Sequence, residues 1–513
     1  MLNRELRTPC PFCDRTVPGR IYEKDRKIFI EKNCPDDGTF TDLLSSDPAL
    51  FLDRMSLLDH IHPNRCSIEK CRKGILECAD HAGKESPLAF IEITTRCNMK
   101  CPVCYADAEA KGTDMPLLDV KRVIDTIAEK DPYAHIILIG GEPTLHQDFF
   151  TILDYINSKG LMKRTFIASN GITLADEKFS EKVHKAGIKK FYLGFDGTDR
   201  EACKKIRGSY IAYDALRKAL KNIRKNGKAW IILSFTAIKD LNVKNIPDAL
   251  DFAMDNADIV KRVMISPEVY CGRITEKDSL KETRLTGDCV ENFIREKLGV
   301  KVATVSISLF FSLIKPLKLM RLIRHNSWMG AAPSPFCGQM GLIWEDTEGV
   351  YHSILDYLVK DPDKNIYGLG RRLNKLSGII HMKRLNYSNN LPARALWRLI
   401  VYFNYLPRYV ILLLSYLNKK NIVKLIALLT ASGFNMKKFK KTFFNKKVEL
   451  YFLLGSDKYN FIWDKMPYCL THHYRIHPET GQVMKVPGCS IFAYREKFDA
   501  AGNTQSCSNS LKG

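Results

Sequence analysis

Residues 91–107 read IEITTRCNMKCPVCYAD, and this stretch decides the fold. It opens with alternating apolar residues that predict a strand, and three cysteines follow at once in the spacing C-x3-C-x2-C: Cys97, Cys101 and Cys104. In α/β folds, ligands gather just beyond the carboxyl ends of the strands. We therefore expect the three thiols to hold a metal at one edge of a sheet.

The cysteine spacing favours an iron–sulfur cluster over zinc. Three thiolates can ligate three irons of a [4Fe–4S] cubane, which leaves the fourth iron open to a small chelating molecule. The alternative, a zinc knuckle, needs a fourth protein ligand, and neither His nor Cys follows Cys104 closely enough. We interpret the motif as a cubane with one open coordination position.

Short apolar runs alternate with helical patterns around this motif. Six strands are predicted, at residues 90–94, 135–139, 165–168, 190–195, 229–235 and 262–266. Helical stretches such as 117–130 and 213–226 lie between them. This alternation predicts a parallel sheet with helical crossovers, either a partial barrel or a doubly wound sheet.

Glycine-rich and polar turns follow successive predicted strands. They contribute candidate ligand-binding residues: Gly140, Gly141, Glu142, Pro143, Ser169, Asn170 and Asp196, with Ser234 on the fifth strand. Glycines let the backbone approach a ligand closely, and carbonyl or carboxylate oxygens accept hydrogen bonds from an ammonium group. Asp196 could instead be the N-cap of a helix.

Taken in order, these motifs resemble the radical S-adenosylmethionine (SAM) superfamily over residues 85–275, including the aromatic Tyr105 after the third cysteine. The resemblance implies a partial (β/α)6 barrel, with SAM bound at the open iron and cleaved to a 5′-deoxyadenosyl radical. It implies that the GGEP turn contacts the SAM amino group and that Ser169 and Asn170 contact its carboxylate or ribose. It further implies an electron donor of the ferredoxin or flavodoxin type.

Residues 1–84 form a cysteine-rich segment that predicts a second metal site. Its cysteines are Cys10, Cys13, Cys34, Cys66, Cys71 and Cys78. The pair in CPFC, together with Cys34, supplies three ligands for one zinc or iron, and the fourth could be one of the later cysteines or His81. The first ten residues lack the apolar segment of a signal peptide, so we do not expect disulfides. Free thiols are the alternative.

Residues 449–513 again contain cysteine and histidine residues that could bind metal. Cys469 and Cys489, with Cys337 from the preceding region, could hold an auxiliary iron–sulfur cluster together with N-terminal cysteines. Three histidines could be ligands, proton donors or polar surface: His472, His473 and His477. The remaining cysteines are interpreted as ordinary thiols: Cys203, Cys271, Cys289 and Cys507.

Positive charge concentrates in one part of the chain. The net charge is +22, and residues 364–448 hold 18 Lys and Arg without one acidic residue. Apolar runs occupy 305–313, 396–406, 409–417 and 422–429, and none reaches the roughly 18–20 uncharged residues that span a bilayer. We predict helices in region 276–448, either amphipathic ones on an anionic membrane surface or a buried subdomain with a solvated basic face.

The two ends of the chain narrow the resemblance. CPFC at 10–13, CPDDGTF at 34–40 and the segment 467–489 are similar to the subgroup of tetraether and membrane-spanning lipid synthases, which includes proteins assigned as radical SAM pterin methylases. This implies auxiliary clusters and a rubredoxin-like iron or zinc site. The sequence departs from the subgroup's CPxHG at Asp36 and Asp37.

The resulting hypothesis divides the chain into a metal-binding segment (1–84), a radical SAM core (85–275), a basic helical insert (276–448) and a Cys/His segment (449–513). We predict carbon–carbon bond formation on lipid chains, in the cytoplasm and peripheral on the inner face of the membrane. The alternative is modification of a pterin, peptide or other small molecule. Nucleic acid is the weakest hypothesis, because the aromatic residues of the basic region lie beside aliphatic runs rather than in a stacking pattern.

Overall fold

The computed structural model of this chain describes residues 2–13, 15–61, 86–274, 284–309, 312, 315–316, 334–385, 399–431, 443–444, 446–462 and 469–500. Several residues singled out in the sequence lie outside these ranges: Cys66, Cys71, Cys78, His81 and Cys507.

The N-terminal region is a small antiparallel sheet that the sequence patterns did not predict. Its strands pair in chain order: β1 (Asn3–Pro9), β2 (Thr16–Lys24), β3 (Lys27–Cys34) and β4 (Gly38–Ser45). Alternate residues of β2 and β3, such as Ile21, Ile28 and Ile30, are buried together with Phe51 of helix α1 (Pro48–Ile61). The β1–β2 loop carries Cys10 and Cys13, and the β3–β4 turn follows Cys34.

The central sheet has the six parallel strands that the sequence predicted, each within two residues of its expected bounds. They pair in chain order: β5 (Leu88–Thr94), β6 (His135–Gly140), β7 (Thr165–Ser169), β8 (Lys190–Gly194), β9 (Trp230–Ala237) and β10 (Val260–Pro267). The helices between them are α2 (Leu117–Lys130), α3 (Phe149–Ser158), α4 (Glu177–Lys185), α5 (Arg200–Arg207), α6 (Ile211–Asn226) and α7 (Ile246–Asp255).

Helix α2 illustrates how the outer core forms. Val120, Val123, Ile124 and Ile127 recur at helical spacing, so they share one face, and that face is fully buried against the sheet. Each such side chain contributes about 1.5–3 kcal/mol on burial. Truncating Ile124 to Ala is expected to cost about 2–5 kcal/mol, because the cavity cannot collapse in a close-packed core.

The inner face of the sheet shows that the six strands curve into a barrel. A separate apolar cluster draws on all six strands, with Phe90, Ile137, Phe166, Tyr192, Ile232 and Met264 among its members. In a doubly wound sheet, helices would cover both faces. Here the inner-face cluster contains strand residues alone, and the helices pack on the outer face, so the partial barrel is the architecture adopted.

Later parts of the chain extend both ends of the sheet. Beyond β10 lie β14 (Lys446–Leu453), in parallel, and β12 (Gly338–Glu345), which pairs in turn with β11 (Val305–Ser306) and β13 (Tyr351–Ser353). Beyond β5 lie β15 (Thr471–Ile476) and β16 (Val483–Pro487). The two extended ends meet where Leu470 packs on Ile307 beside Met340. Region 276–448 is therefore helical only in part, because β12 alternates buried and half-buried residues as a strand does.

The remaining helices are α8 (Gly287–Leu298), α9 (Ile354–Leu358), α10 (Pro362–Leu385), α11 (Leu406–Tyr416), α12 (Lys419–Ala431) and α13 (Gly488–Ala500). A π-helical turn, Val401–Tyr405, runs directly into α11. Within the part of the chain that the structure describes, no helix combines the length and the apolar character needed to cross a bilayer.

Candidate functional site

The three motif cysteines lie on the loop that directly follows β5. They are free thiols; Cys97 and Cys101 are buried and Cys104 is half-buried. The loop is pinned by backbone bonds, from Cys97 N to Glu109 O at 3.0 Å and from Arg273 N to Cys104 O at 2.9 Å. Burial raises the pKa of Cys97 to about 11. A thiolate there needs a compensating cation, which a bound cluster provides, so the donor set fits a [4Fe–4S] group.

The GGEP turn after β6 packs directly on this loop. Gly141 N donates to Thr94 O and Glu142 N donates to Arg96 O, both at 2.8 Å. A Cβ added at Gly141 would overlap the Arg96 carbonyl and lie 3.0 Å from the Cys97 Cβ. Only glycine therefore lets the turn approach the cysteines this closely.

Glu142 has a structural task that the sequence did not reveal. Its side chain is fully buried, and its carboxylate accepts hydrogen bonds from Thr144 Oγ1 at 2.7 Å and from Asn170 N at 2.8 Å. Burial raises the pKa of Glu142. Because the carboxylate ties the β6 turn to the β7 turn, a contact with the SAM amino group would fall to the backbone carbonyls of the turn.

The turn after β7 reaches the cysteine loop through Asn170. Its Nδ2 donates to Asn98 Oδ1 at 2.7 Å and lies 3.9 Å from the Cys97 sulfur. Ser169 Oγ accepts from Gly171 N at 3.0 Å, which shapes the same turn. The second and third polar turns are thus brought beside Cys97, as the sequence order predicted.

Asp196 is not the N-cap of α5. Asp199 takes that role, since its Oδ1 accepts from the backbone N of Glu201 and Ala202 at 2.9 and 3.1 Å. Asp196 is buried and accepts from Arg207 Nε at 2.5 Å and from Thr236 N at 3.0 Å.

Arg207, in the last turn of α5, was missed by the sequence reasoning. Its guanidinium donates to Asp196 and lies beside the thiol of Cys101. Burial opposes the charge, but these two partners outweigh it and raise the pKa of Arg207. No sequence motif links position 207 to position 101. The two residues meet only because the connection between β8 and β9 brings α5 to the carboxyl ends of the strands.

The remaining predicted residues surround the same site. Tyr105 is half-buried, and its ring meets that of Phe492 edge-on at 5.5 Å. Ser234 lies two residues from Ile232 on β9, so it faces the inside of the barrel. Pro143 is buried and begins the short helical turn after the glycines.

A second set of donors converges in the N-terminal sheet. Ligand atoms of Cys10, Cys13, Cys34 and Asp37 all lie within 4.8 Å of one another. Asp37 Oδ2 is 3.2 Å from the Cys10 sulfur and 3.3 Å from that of Cys34, and the sulfurs of Cys13 and Cys34 are 3.6 Å apart. Three sulfurs and one oxygen around a common centre match a tetrahedral zinc or iron site. Within the described residues, Asp37, which stands where CPxHG has its histidine, supplies the fourth donor atom; the predicted alternatives lie outside those residues: Cys66, Cys71, Cys78 and His81.

Of the three C-terminal cysteines, Cys469 and Cys489 are neighbours, whereas Cys337 lies beside a different strand pair. Cys469 precedes β15, whose Thr471 pairs with Leu88 at the amino end of β5, and Cys489 follows β16. Burial, and then the neighbouring Cys489, raise the pKa of Cys469 to about 12. Cys337 precedes β12 beside the carboxyl end of β14. The auxiliary cluster stays a prediction.

Two of the three histidines are core residues rather than polar surface. His472 Nδ1 lies 2.8 Å from Ser86 Oγ, and the ring of His473 stacks on Phe90 at 5.3 Å. Burial lowers the pKa of His473 to about 3, so its imidazole is neutral. His477 instead shapes the turn before β16, where its Nδ1 accepts from Glu479 N at 3.2 Å.

Two known family models match the parts of the chain that carry these sites. The model of the radical SAM superfamily matches residues 91–253, and that of the HMPTM N-terminal zinc ribbon domain matches residues 3–46. The first match contains the cysteine motif and the polar turns; the second contains Cys10, Cys13, Cys34 and Asp37.

Two relatives share about half their length with this chain. A 7,8-dihydro-6-hydroxymethylpterin dimethyltransferase of Methanocaldococcus jannaschii is 29% identical over 292 residues, 56% of this chain and 56% of the relative. An Fe-coproporphyrin III synthase of Methanosarcina barkeri is 32% identical over 212 residues, 40% of this chain and 51% of the relative. These relatives do not show the lipid-synthase subgroup.

Among solved structures, Streptococcus suis SuiB bound to S-adenosylmethionine is similar at 14% identity and a TM-score of 0.33, over 54% of this chain and 68% of SuiB. A score of that size carries no argument beyond the match itself. Residues 91–253 of this chain match the radical SAM superfamily model, and the enzyme relatives support a radical SAM enzyme that uses a [4Fe–4S] cluster and SAM.

Proposed function

We propose that this chain is a radical SAM enzyme that modifies an unactivated C–H position of a small heterocyclic molecule. A pterin is the substrate class that we favour. The observation that carries the proposal is the convergence of three free cysteines, the GGEP turn and Asn170 at the carboxyl ends of β5, β6 and β7. When bound, the cluster and SAM supply the electron and the carbon radical that such a bond requires.

The chain itself contributes positioning and electrostatics. Cys97, Cys101 and Cys104 would hold three irons of the cluster, and the carbonyls of the GGEP turn would accept from the SAM amino group. Arg207, held by Asp196, places a positive charge beside Cys101. The apolar inner face of the barrel would exclude water from a substrate bound inside it. A reductant protein of the ferredoxin or flavodoxin type completes the reaction.

Two findings support a pterin-like substrate. The relative with 29% identity is named as a pterin dimethyltransferase, and the zinc ribbon match carries the same family's name. A second candidate is carbon–carbon bond formation on lipid chains, which the exposed apolar side chains between Leu399 and Ile426 favour.

The first experiment tests for SAM cleavage. The full chain, purified without oxygen and reduced in the presence of SAM, should release 5′-deoxyadenosine. Cys101→Ala should abolish this release, whereas Cys203→Ala, which removes another buried thiol outside the motif, should retain it. Equal release from both variants would contradict the assignment of the cluster ligands.

The second experiment separates the substrates. Pterins and lipids of host cells with and without the gene are compared by mass spectrometry. A methylated or otherwise modified pterin that depends on the gene supports the proposal. An unchanged pterin pool with new tail-linked lipids would replace it with the second candidate.

A further inference from the structure

Large apolar side chains are exposed along the helix that runs from residue 399 to residue 416. Phe403 is 81% exposed, Ile411 65% and Leu414 51%. Positions 403, 411 and 414 are separated by eight and three residues, close to whole helical turns, so the three side chains share one face. The opposite face is packed: Tyr405 and Tyr409 are buried against α10.

The next helix exposes two more large apolar side chains. We call the whole set the outer face and define it by its members: Leu399, Phe403, Val410, Ile411, Leu414, Val423 and Ile426. Seven large apolar residues within 28 positions form a larger group than the scattered exposed residues that soluble proteins normally carry. Such a group needs a partner.

Cations surround this face. Arg408, Lys419, Lys420 and Lys424 are exposed on α11 and α12, and residues 364–448 contain no acidic side chain that could neutralise them. A second copy of the chain would bring the same cations to the contact and repel. Apolar side chains interleaved with unopposed cations match the interface of an anionic bilayer, where the apolar groups enter the acyl boundary and the cations remain at the phosphates.

A groove at the end of α11 is also positively charged. It has a volume of about 650 Å³ between α1, α10 and Tyr416, and three cations line it: Arg371, Arg372 and Lys375. The single carboxylate in its wall, Asp53, is engaged by Arg371 at 3.1 Å. The groove keeps a net positive charge that suits a phosphate group.

We infer that the outer face docks the protein on an anionic lipid surface, with α11 and α12 lying in the headgroup plane. The apolar side chains supply insertion and the lysines supply attraction, whereas the groove lies with Tyr416 on the packed side of α11 and takes no part in the contact. This inference does not depend on the substrate of the barrel, since it uses none of the residues near Cys97.

The test is flotation of the full chain, purified without oxygen, with vesicles of phosphatidylcholine alone or mixed with phosphatidylglycerol, at low and high salt. We expect binding to the mixed vesicles at low salt, and weaker binding at high salt because exposed charges are screened. The double variant Phe403→Asn/Ile411→Asn should reduce partition by about 100-fold, since each side chain contributes about tenfold when inserted. Each reversal at Lys419, Lys420 or Lys424 to Glu should reduce it at least about fivefold.

Matched variants on the barrel serve as controls. Leu118→Asn/Ile211→Asn removes two apolar side chains that are 71% and 58% exposed on α2 and α6, and Lys221→Glu reverses an exposed lysine on α6. These should float like the unmodified protein. Inorganic phosphate that abolishes flotation at constant ionic strength would show a free-phosphate site and overturn lipid docking.

Other outcomes are equally decisive. Absence of flotation with anionic vesicles at low salt, or equal losses in the outer-face and barrel variants, would refute the inference. A dimer that dissociates in Phe403→Asn/Ile411→Asn while flotation persists would assign the face to a second copy. Release of 5′-deoxyadenosine, measured in the same preparations without lipid, should be unchanged in every variant, which separates this test from that of the reaction.

Discussion

The two three-cysteine sites of this protein differ in what completes them. In the N-terminal sheet, Asp37 lies within 3.3 Å of two sulfurs and closes a compact set of four donors around one centre. In the barrel, the three thiols lie beside two polar turns. Asn170 of the second turn comes within 3.9 Å of the Cys97 sulfur, but its uncharged amide does not add a fourth ligand. Equal numbers of thiols thus occur in two arrangements: a compact set of four donors, which suits a structural metal ion, and a three-thiol loop, which suits a cluster with one open coordination position.

The difference arises from the backbone that carries the thiols. The closed site is built by two tight turns of one antiparallel sheet, so every donor is fixed by strand pairing. The open site is built by loops at the ends of three parallel strands, where the fold leaves room for a ligand.

The largest effect is expected at Gly141. Gly141→Ala places a Cβ into the Arg96 carbonyl and against Cys97, so the GGEP turn must move away from the cysteine loop. We expect loss of 5′-deoxyadenosine release by at least about 100-fold, as positioning errors near 1 Å produce. Gly378→Ala, in a helix with open space around it, is the control and should keep full release. Full activity of Gly141→Ala would show that the turn does not shape the open site.

Variants of Asp37 test whether a carboxylate is the fourth ligand of the N-terminal metal site. Asp37→Ala should weaken metal binding by about 10–100-fold, measured by competition with a chelator, because one of four ligands is lost. Asp37→His should retain the metal. The neighbouring Asp36→Ala removes an exposed carboxylate that pairs with Arg15 instead, and should bind metal normally. Loss of metal binding in Asp36→Ala but not in Asp37→Ala would make Asp36, rather than Asp37, the fourth ligand.

The contrast also explains which parts of the structure the sequence could predict. The six core strands and the cysteine loop follow from local signals: apolar runs of strand length and thiols at short spacing. The order of the turns then placed Gly141 and Asn170 at the strand ends, because parallel strands expose their carboxyl ends together.

Contacts between distant segments could not be predicted in this way. Asp37 carries no spacing signal that separates it from Asp36, since only the β3–β4 turn decides which carboxylate points at the sulfurs. Arg207 reaches Cys101 across 106 positions. Strand β12 was taken for part of a helical region, because its pairing with β14 joins segments about a hundred residues apart.

A smaller effect is expected at Arg207, a positioning residue of the open site. Arg207→Lys keeps the charge but cannot bond Asp196 while it lies beside Cys101, because a single ammonium lacks the forked geometry. We expect full iron content, an altered electron paramagnetic resonance spectrum of the reduced cluster, and SAM cleavage reduced by about tenfold. Arg200→Lys, on the exposed start of the same helix, is the control. An unchanged spectrum with reduced cleavage would restrict Arg207 to a role in stability.

The smallest effect concerns the pH dependence of the barrel that carries the open site. His473 has its pKa lowered from 6.5 to about 3 by burial, so below about pH 6.5 the unfolded chain binds a proton that the folded chain refuses. The stabilisation is present above pH 6.5 and is lost as the pH falls toward 3, at up to about 1.4 kcal/mol per pH unit. Buried His472, whose pKa is also lowered, acts in the same direction. Denaturant unfolding between pH 7 and 5 should therefore show a shallower loss in His473→Gln than in the unmodified chain or in His477→Gln. Equal slopes in all three would mean that His473 accepts its proton within the folded barrel, and that the interior behind the open site is wetter than its packing indicates.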